Sequence, residues 1–210
     1  MGLDTDIRDC LARAVTWRVS AHSGICLADL REIGASTEAL VQSLPAEAAK
    51  RAQRLVDETR RREFAASRHL AQALISQYPP ARVHSWSRSE GRLAFAYADA
   101  AAMGVDLECV RPLDFAAILG VICGDDERDE LAAAGRLDEA ERFFRIWTAK
   151  EAIMKAMGSG FQAGVRSVRL NAAALALDGN EQVTVQVTGR CFLLSTRRHG
   201  AARISFAAAD

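Results

Sequence analysis

The segment GVDLE, residues 104–108, sets two carboxylates one residue apart. In a strand, Asp106 and Glu108 project to one side while Val105 and Leu107 enter a core. Like charges side by side gain a sheet nothing, so the pair is either a solvated strand face or the start of a cation site. Magnesium suits such a site, because it takes carboxylate and water oxygens and completes its shell with substrate phosphates. Further on, WTAKEAIMKAM, residues 147–157, carries Lys150, Glu151 and Lys155. Glu151 would be a third acid, and the two lysines beside it would suit a diphosphate ester.

These residues need a helix to carry them. FFRIWTAKEAIMKAMGSGF, residues 143–161, reads as one amphipathic helix closed by a Gly-Ser-Gly break. At about 100° per residue, Phe143, Ile146, Trp147, Ile153, Met154 and Met157 gather on one side, with Lys150 among them. An ammonium on an apolar face is costly unless an anion meets it or its stem snorkels out. The helix alone allows a Glu151–Lys155 surface pair with Lys150 reaching solvent, or a lysine turned to a ligand. Asp138, with Glu141 three residues on, reads as a capping box at the helix start.

Around these motifs the pattern alternates between strand and helix. Residues 12–30 suit a strand or two, and from Pro45 the signal is helical, with Ser43 as a possible cap. DETRRREFAASRHLAQALISQY places Phe64, Ala71, Leu74, Ile75 and Tyr78 at helical spacing, and Pro79-Pro80 stops it. Ser89-Glu90-Gly91 predicts a turn, and Leu93, Phe95 and Tyr97 alternate as a strand does. Short helices are expected after Pro112 and from Asp125 or Asp126 to Gly135. Beyond Gly160 the chain turns β-like, most clearly at VTVQV and CFLLSTR. Each half thus holds strands plus one long helix, a hint of internal duplication.

Composition excludes some function classes. Formal charge is zero over 210 residues, which argues against a general nucleic-acid or membrane-surface binder. The five cysteines are scattered without a C-x-x-C pair or zinc spacing, as in a reduced cytoplasmic protein. The N-terminus has acids where a signal peptide carries bases, and no apolar run reaches membrane-spanning length. The expectation is a cytoplasmic protein that binds neither nucleic acid nor membrane.

GVDLE at 104–108 followed by WTAKEAIMKAMGSG at 147–160 resembles the signature of the 4'-phosphopantetheinyl transferases. More narrowly, it is similar to their longer single-chain type, which activates peptide, polyketide and siderophore synthases. That family pattern is G-[VI]-D-[IVL]-E, then W-[ST]-x-K-E-[AS]-x-x-K, then G-x-G, and every fixed position is present in order. RREFAASRHL resembles the family's first-half helix and HSWSRSEGRLAFAYA its segment before the acidic strand, so the similarity covers most of residues 58–161.

The resemblance implies an α+β fold of two similar halves related by a pseudo-twofold axis, each a small, mainly antiparallel sheet on a long helix. We place the halves at 1–103 and 104–210 in a monomer. It implies transfer of the 4'-phosphopantetheine arm of coenzyme A, the co-substrate, to a serine of an apo carrier protein or carrier domain. The carrier would belong to a polyketide, peptide or fatty acid synthase, and 3',5'-ADP would leave. Asp106, Glu108 and Glu151 are then ligands of Mg2+, with Mn2+ as a substitute. Lys150 and Lys155 contact the phosphates, Lys155 as the leaving group departs. Glu151, with Glu108 second, is the base for the acceptor serine. Trp147 packs, and Gly158 and Gly160 let the chain turn closely.

At the nucleotide end, Arg61 and Arg68 are candidate contacts to the coenzyme's 3'-phosphate, each also readable as a solvated helix face. Family members usually carry serine-histidine-serine or serine-histidine-cysteine before the acidic strand; here Ser87-Arg88-Ser89 stands there, with Ser87 and Arg88 as coenzyme contacts. Arginine binds phosphate bidentately at any pH. The family's common glycine-lysine-proline loop is replaced near Tyr78-Pro79-Pro80. His84 reads as a surface or structural residue, and Arg111, Arg166 and Arg169 as candidate landing points for an acidic carrier. Two weaker readings use the same residues: a catalytically weak coenzyme A-binding regulatory module, and a Mg-dependent hydrolase of nucleotide diphosphates.

Overall fold

Hydrophobic alternation becomes strand, and the two long amphipathic runs become the two longest helices. The computed structural model describes residues 2–78, 81–133, 137–158, 164–177 and 181–209. The expectations resting on Pro79-Pro80, Gly135 and Gly160 fall outside them. In chain order the elements are α1 (Leu3–Arg13), β1 (Val15–Ser20), β2 (Ser23–Asp29), α2 (Thr37–Gln42), α3 (Ala46–Gln53) and α4 (Glu58–Gln77). β3 (Val83–Ser89), β4 (Arg92–Ala98), β5 (Ala102–Cys109), α5 (Phe115–Ile122), α6 (Asp125–Ala133) and α7 (Glu139–Met157) follow. The chain ends with α8 (Ala172–Ala176), β6 (Val183–Val187), β7 (Arg190–His199) and β8 (Ala202–Ala209).

The strands form two four-stranded antiparallel sheets, ordered β1-β2-β4-β3 and β5-β8-β7-β6. Each half repeats one plan: a strand, a long helix, then a hairpin whose last strand pairs with the first, as β2 does with β4 and β5 with β8. The fold is therefore α+β in two halves, as the resemblance implied. Outside the sheet plan, α1 and α2 were not anticipated; α1 has no side-chain cap to announce it, whereas Ser36 caps α2. Ser43 caps no N-terminus. It ends α2, donating to Ala39 O at 2.7 Å, and Pro45 itself opens α3.

Burial fixes the layers. Phe144, Ile153, Phe192 and Leu194 fill the space between α7 and the second sheet, while Leu40, Phe64, Leu70 and Leu93 pack α4 on the first. A third cluster joins the two sheets: Ile25, Leu27 and Ala96 meet Val105, Leu107, Ile204 and Phe206. Val105 and Leu107 thus enter a core, as their spacing predicted, and Asp106 and Glu108 turn the other way, under α7. No helix among the described residues is long and apolar enough to cross a membrane.

Three local features hold α7 over those acids. Asp138 caps it, its Oδ1 accepting from Glu141 N at 2.7 Å. The capping box is only half formed, because the Glu141 carboxylate turns away to Arg145 and Arg203. Burial works against that carboxylate, yet the two guanidiniums hold it below the ordinary range. Gly158, at φ 70°, closes the helix in the left-handed conformation that glycine adopts without cost. Gly104 lets the helix come close: a Cβ there would stand 2.1 Å from Ala152 O and 2.7 Å from Ala156 N. Gly104→Ala must therefore push α7 off β5. It is expected to lose at least the ~1–3 kcal/mol typical of overpacked cores, measured by urea unfolding.

Candidate active site

Strand β5 pairs with β8 on one edge only, and α7 lies across its acid-bearing face. There Lys155 Nζ donates to Asp106 Oδ1 at 2.7 Å and to Val105 O at 3.1 Å. Asp106 Oδ1 also accepts from Ser87 Oγ at 2.8 Å. Burial pushes the Asp106 carboxyl above the usual range, against the pull of Lys155 and Ser87. Its other oxygen, Oδ2, is buried and has no partner.

Glu151 sits one turn before Lys155, and its Oε1 is likewise buried and unpartnered. Burial first, then the negative charge of Asp106, pushes its carboxyl from 4.5 up to about 7, with Lys155 opposing. Glu108 acts on it more weakly. The Glu108 Oε2 is already engaged by Ser89 Oγ at 2.9 Å and Arg111 Nη1 at 2.8 Å. Asp106, Glu108, Glu151 and Lys155 thus share one neighbourhood, formed where α7 crosses β5.

Lys150 is not part of it. Its side chain is fully buried, and Nζ donates to Glu127 Oε2 at 2.9 Å, Ile122 O at 3.0 Å and Val168 O at 2.6 Å. Glu127, on α6, also accepts from Leu170 N at 2.7 Å. The lysine that looked misplaced on an apolar face is a core residue with an anion of its own. A phosphate contact would require it to abandon three bonds in a dry site. Trp147, as expected, packs, stacking on Phe143 with centroids 6.1 Å apart.

The first half contributes a basic cluster. Arg51, Arg68 and Arg88 set their guanidiniums over the single ring of Phe64, at 5.5, 5.2 and 5.6 Å from its centroid. Arg68 also lies 5.5 Å over Trp86. Desolvation, then the charges of Arg51, Arg68 and Arg60, hold Arg88 below the ordinary arginine range, with Glu63 opposing. Among the described residues none of Arg51, Arg68 or Arg88 has an acid within ion-pair distance. Arg61, the other arginine expected there, instead donates to Leu55 O at 2.8 and 3.0 Å and fastens the loop before α4. Arg51 went unrecognised because it lies on α3, and only tertiary packing brings that helix to α4.

Two further expectations change partner. Ser87 reaches Asp106 rather than facing the arginines, which lie across β3 from it. Arg111 engages Glu108, Arg166 donates to Val121 O at 3.0 Å at the end of α5, and Arg169 lies 3.5 Å from Glu130. His84 tilts against Phe95, 5.6 Å between centroids, a structural place.

Among the described residues no three acidic, histidine or cysteine side chains converge into a ready chelate. The donors nonetheless fit magnesium. Asp106 Oδ2 and Glu151 Oε1 are hard oxygens without partners, and magnesium is usually held by one or two carboxylates with water and substrate phosphates filling the rest. Zinc or copper would want nitrogen or sulfur donors.

A family model described as the 4'-phosphopantetheinyl transferase superfamily matches residues 102–207, half of the chain, from the first residue of β5 into β8. The chain is also similar to 4'-phosphopantetheinyl transferase psf-1 of Bacillus pumilus, 35% identical over 69 residues. That similarity spans 33% of this chain and 29% of the relative's length.

Proposed function

The chain belongs to the 4'-phosphopantetheinyl transferase superfamily, and on that premise we propose that it moves the phosphopantetheine arm of coenzyme A to a serine of an apo carrier protein. The observation that carries the proposal is the pair of buried, unpartnered carboxylate oxygens on Asp106 and Glu151 beside the Lys155 ammonium. Mg2+, held by these two acids with Glu108 beside them as a further ligand only if it turns toward the ion, would supply Lewis acidity and a template for the coenzyme's diphosphate. Lys155, 31% exposed, is free to offset the negative charge that grows on the leaving phosphate. Glu151, buried beside Asp106 and Lys155, would take the proton of the acceptor hydroxyl through an oxygen left free of the metal. That oxygen then bonds the β-phosphorus, the bond from this phosphorus to the bridging oxygen breaks, and 3',5'-ADP departs.

The arginines around Phe64 support a site for the nucleotide end. Three guanidiniums on one ring repel each other unless an anion joins them, and the coenzyme's 3'-phosphate has the right charge. The acceptor would have an apolar point at hand on the outer side of α5, where Val121 is 65% exposed while Phe115, Ile118 and Leu119 pack inward.

The direct test is incubation with coenzyme A, Mg2+ and apo carrier proteins from fatty acid, polyketide and peptide pathways, followed by mass spectrometry of the carrier. No mass gain on any carrier would sink the proposal, and coenzyme A binding without turnover would select a regulatory module instead. In the same assay Arg51→Ala is expected to raise KM for coenzyme A about 10- to 100-fold, the loss of one charge-assisted phosphate contact. Dephospho-coenzyme A, without the 3'-phosphate, should be indifferent to the change.

A further inference from the structure

Strands β3 and β5 are edges of different sheets, yet they lie side by side and run in the same direction. Among the described residues no backbone ladder joins them. Alternate serines of β3 do so instead. Ser85 Oγ accepts from Val105 N at 3.1 Å, and Ser89 Oγ accepts from Cys109 N at 3.2 Å. An edge strand's N–H groups must find partners when covered, and here hydroxyls provide them. A hydroxyl that accepts still has its own proton to give. Ser89 gives it to Glu108 Oε2 at 2.9 Å, and Ser87, between the two, gives its proton to Asp106 Oδ1 at 2.8 Å.

The consequence lies in which oxygen each acid keeps free. Asp106 Oδ1 takes two donors, Ser87 from one side and Lys155 from the other, and Oδ2 takes none. Glu108 Oε2 takes both Ser89 and Arg111. Each serine therefore pins one carboxylate oxygen and fixes the torsion of the side chain that presents the other. Both acids belong to the second half, and both serines to the first. On the opposite face of the same strand, Arg88 joins the arginines around Phe64.

We propose that Ser87 and Ser89 are positioning residues through which the first half sets the metal affinity of the second, by orienting Asp106 and Glu108. This rests on the metal-assisted transfer proposed above. It also gives Ser87 a role distinct from contact with the coenzyme. Groups that orient metal-ligating carboxylates cost about 10- to 100-fold in affinity when removed.

The test titrates Mn2+ into the full chain, following free ion by electron paramagnetic resonance, for wild type, Ser87→Ala, Ser89→Ala and Ser87→Thr. Circular dichroism confirms that each is folded. The alanine variants are expected to weaken Mn2+ binding, and to raise the Mg2+ needed for half-maximal carrier modification, about 10- to 100-fold. KM for coenzyme A at saturating Mg2+ should change less than about twofold, and Ser87→Thr, which keeps the hydroxyl, should restore both. Wild-type Mn2+ affinity in both alanine variants would overturn the inference while leaving the transferase proposal standing. So would a raised KM for coenzyme A with unaltered metal dependence, which would make Ser87 a ligand contact. A wild-type protein that neither binds Mn2+ nor modifies a carrier would overturn both.

Discussion

Replacing Glu151 by glutamine is expected to remove arm transfer and, in metal-free protein, to raise stability above about pH 7. Burial and the nearby Asp106 move this carboxyl from 4.5 to about 7, against Lys155. Between those values the folded protein keeps a proton that the unfolded chain has released. Wild-type stability therefore falls as pH rises through this window and levels off above it. Glutamine has no proton to lose, so the variant lacks that slope. The two proteins should match below about pH 4.5 and differ by about 1–3 kcal/mol at pH 8. Urea unfolding with a chelator present measures the difference. Rate should fall about 10²- to 10⁴-fold, the usual loss on deleting a general base. A variant as pH-sensitive as wild type, or one that still transfers at a comparable rate, would contradict the assignment of Glu151.

That combination would mean the site keeps an acid the fold would be better without. Asp106 and Glu151 each leave a buried oxygen unpartnered, an arrangement costly for folding that the proposed function explains by the arrival of a cation and substrate. The cost is borne by packing around it: Gly104 lets α7 seat on β5, and Gly158 ends the helix just beyond Lys155.

These parts of the site were legible because they are local. A period of two puts Asp106 and Glu108 on one face, and a period of 3.6 puts Glu151 and Lys155 one turn apart. The strand-helix-strand plan followed from the same periods and from the cap at Asp138, whereas Asp57, which caps α4, was not read as one. What could not be read depends on contacts between distant segments. Lys150 and Glu127 are 23 residues apart and meet only after α6 folds against α7. Arg51 reaches Phe64 through the seating of α3 on α4. Ser85, Ser87 and Ser89 alternate visibly, but nothing local says that the facing edge is β5 of the other sheet.

Lys150 provides the second large effect, one of stability. Its ammonium is closed off from solvent and bonded to Glu127, Ile122 O and Val168 O, so it ties α7 to the end of α5, to α6 and to the segment after residue 164. Lys150→Met would leave Glu127 as a buried, unpaired charge and two carbonyls without donors. Breaking a buried pair from one side costs about 3–5 kcal/mol. Glu127→Gln should cost a comparable amount: its amide oxygen can still accept from Leu170 N, but its NH2 then faces the ammonium, which keeps two carbonyls and loses its counter-charge. Combining the changes should cost less than their sum, because the second no longer strands a charge. Urea unfolding of the four proteins closes this double-mutant cycle. If instead Lys150 leaves the core to hold the coenzyme's phosphates, Lys150→Met would unfold at the wild-type midpoint and raise KM for coenzyme A. Each outcome moves one axis and leaves the other unchanged, so one pair of measurements decides whether this lysine serves the ligand or the fold beneath it.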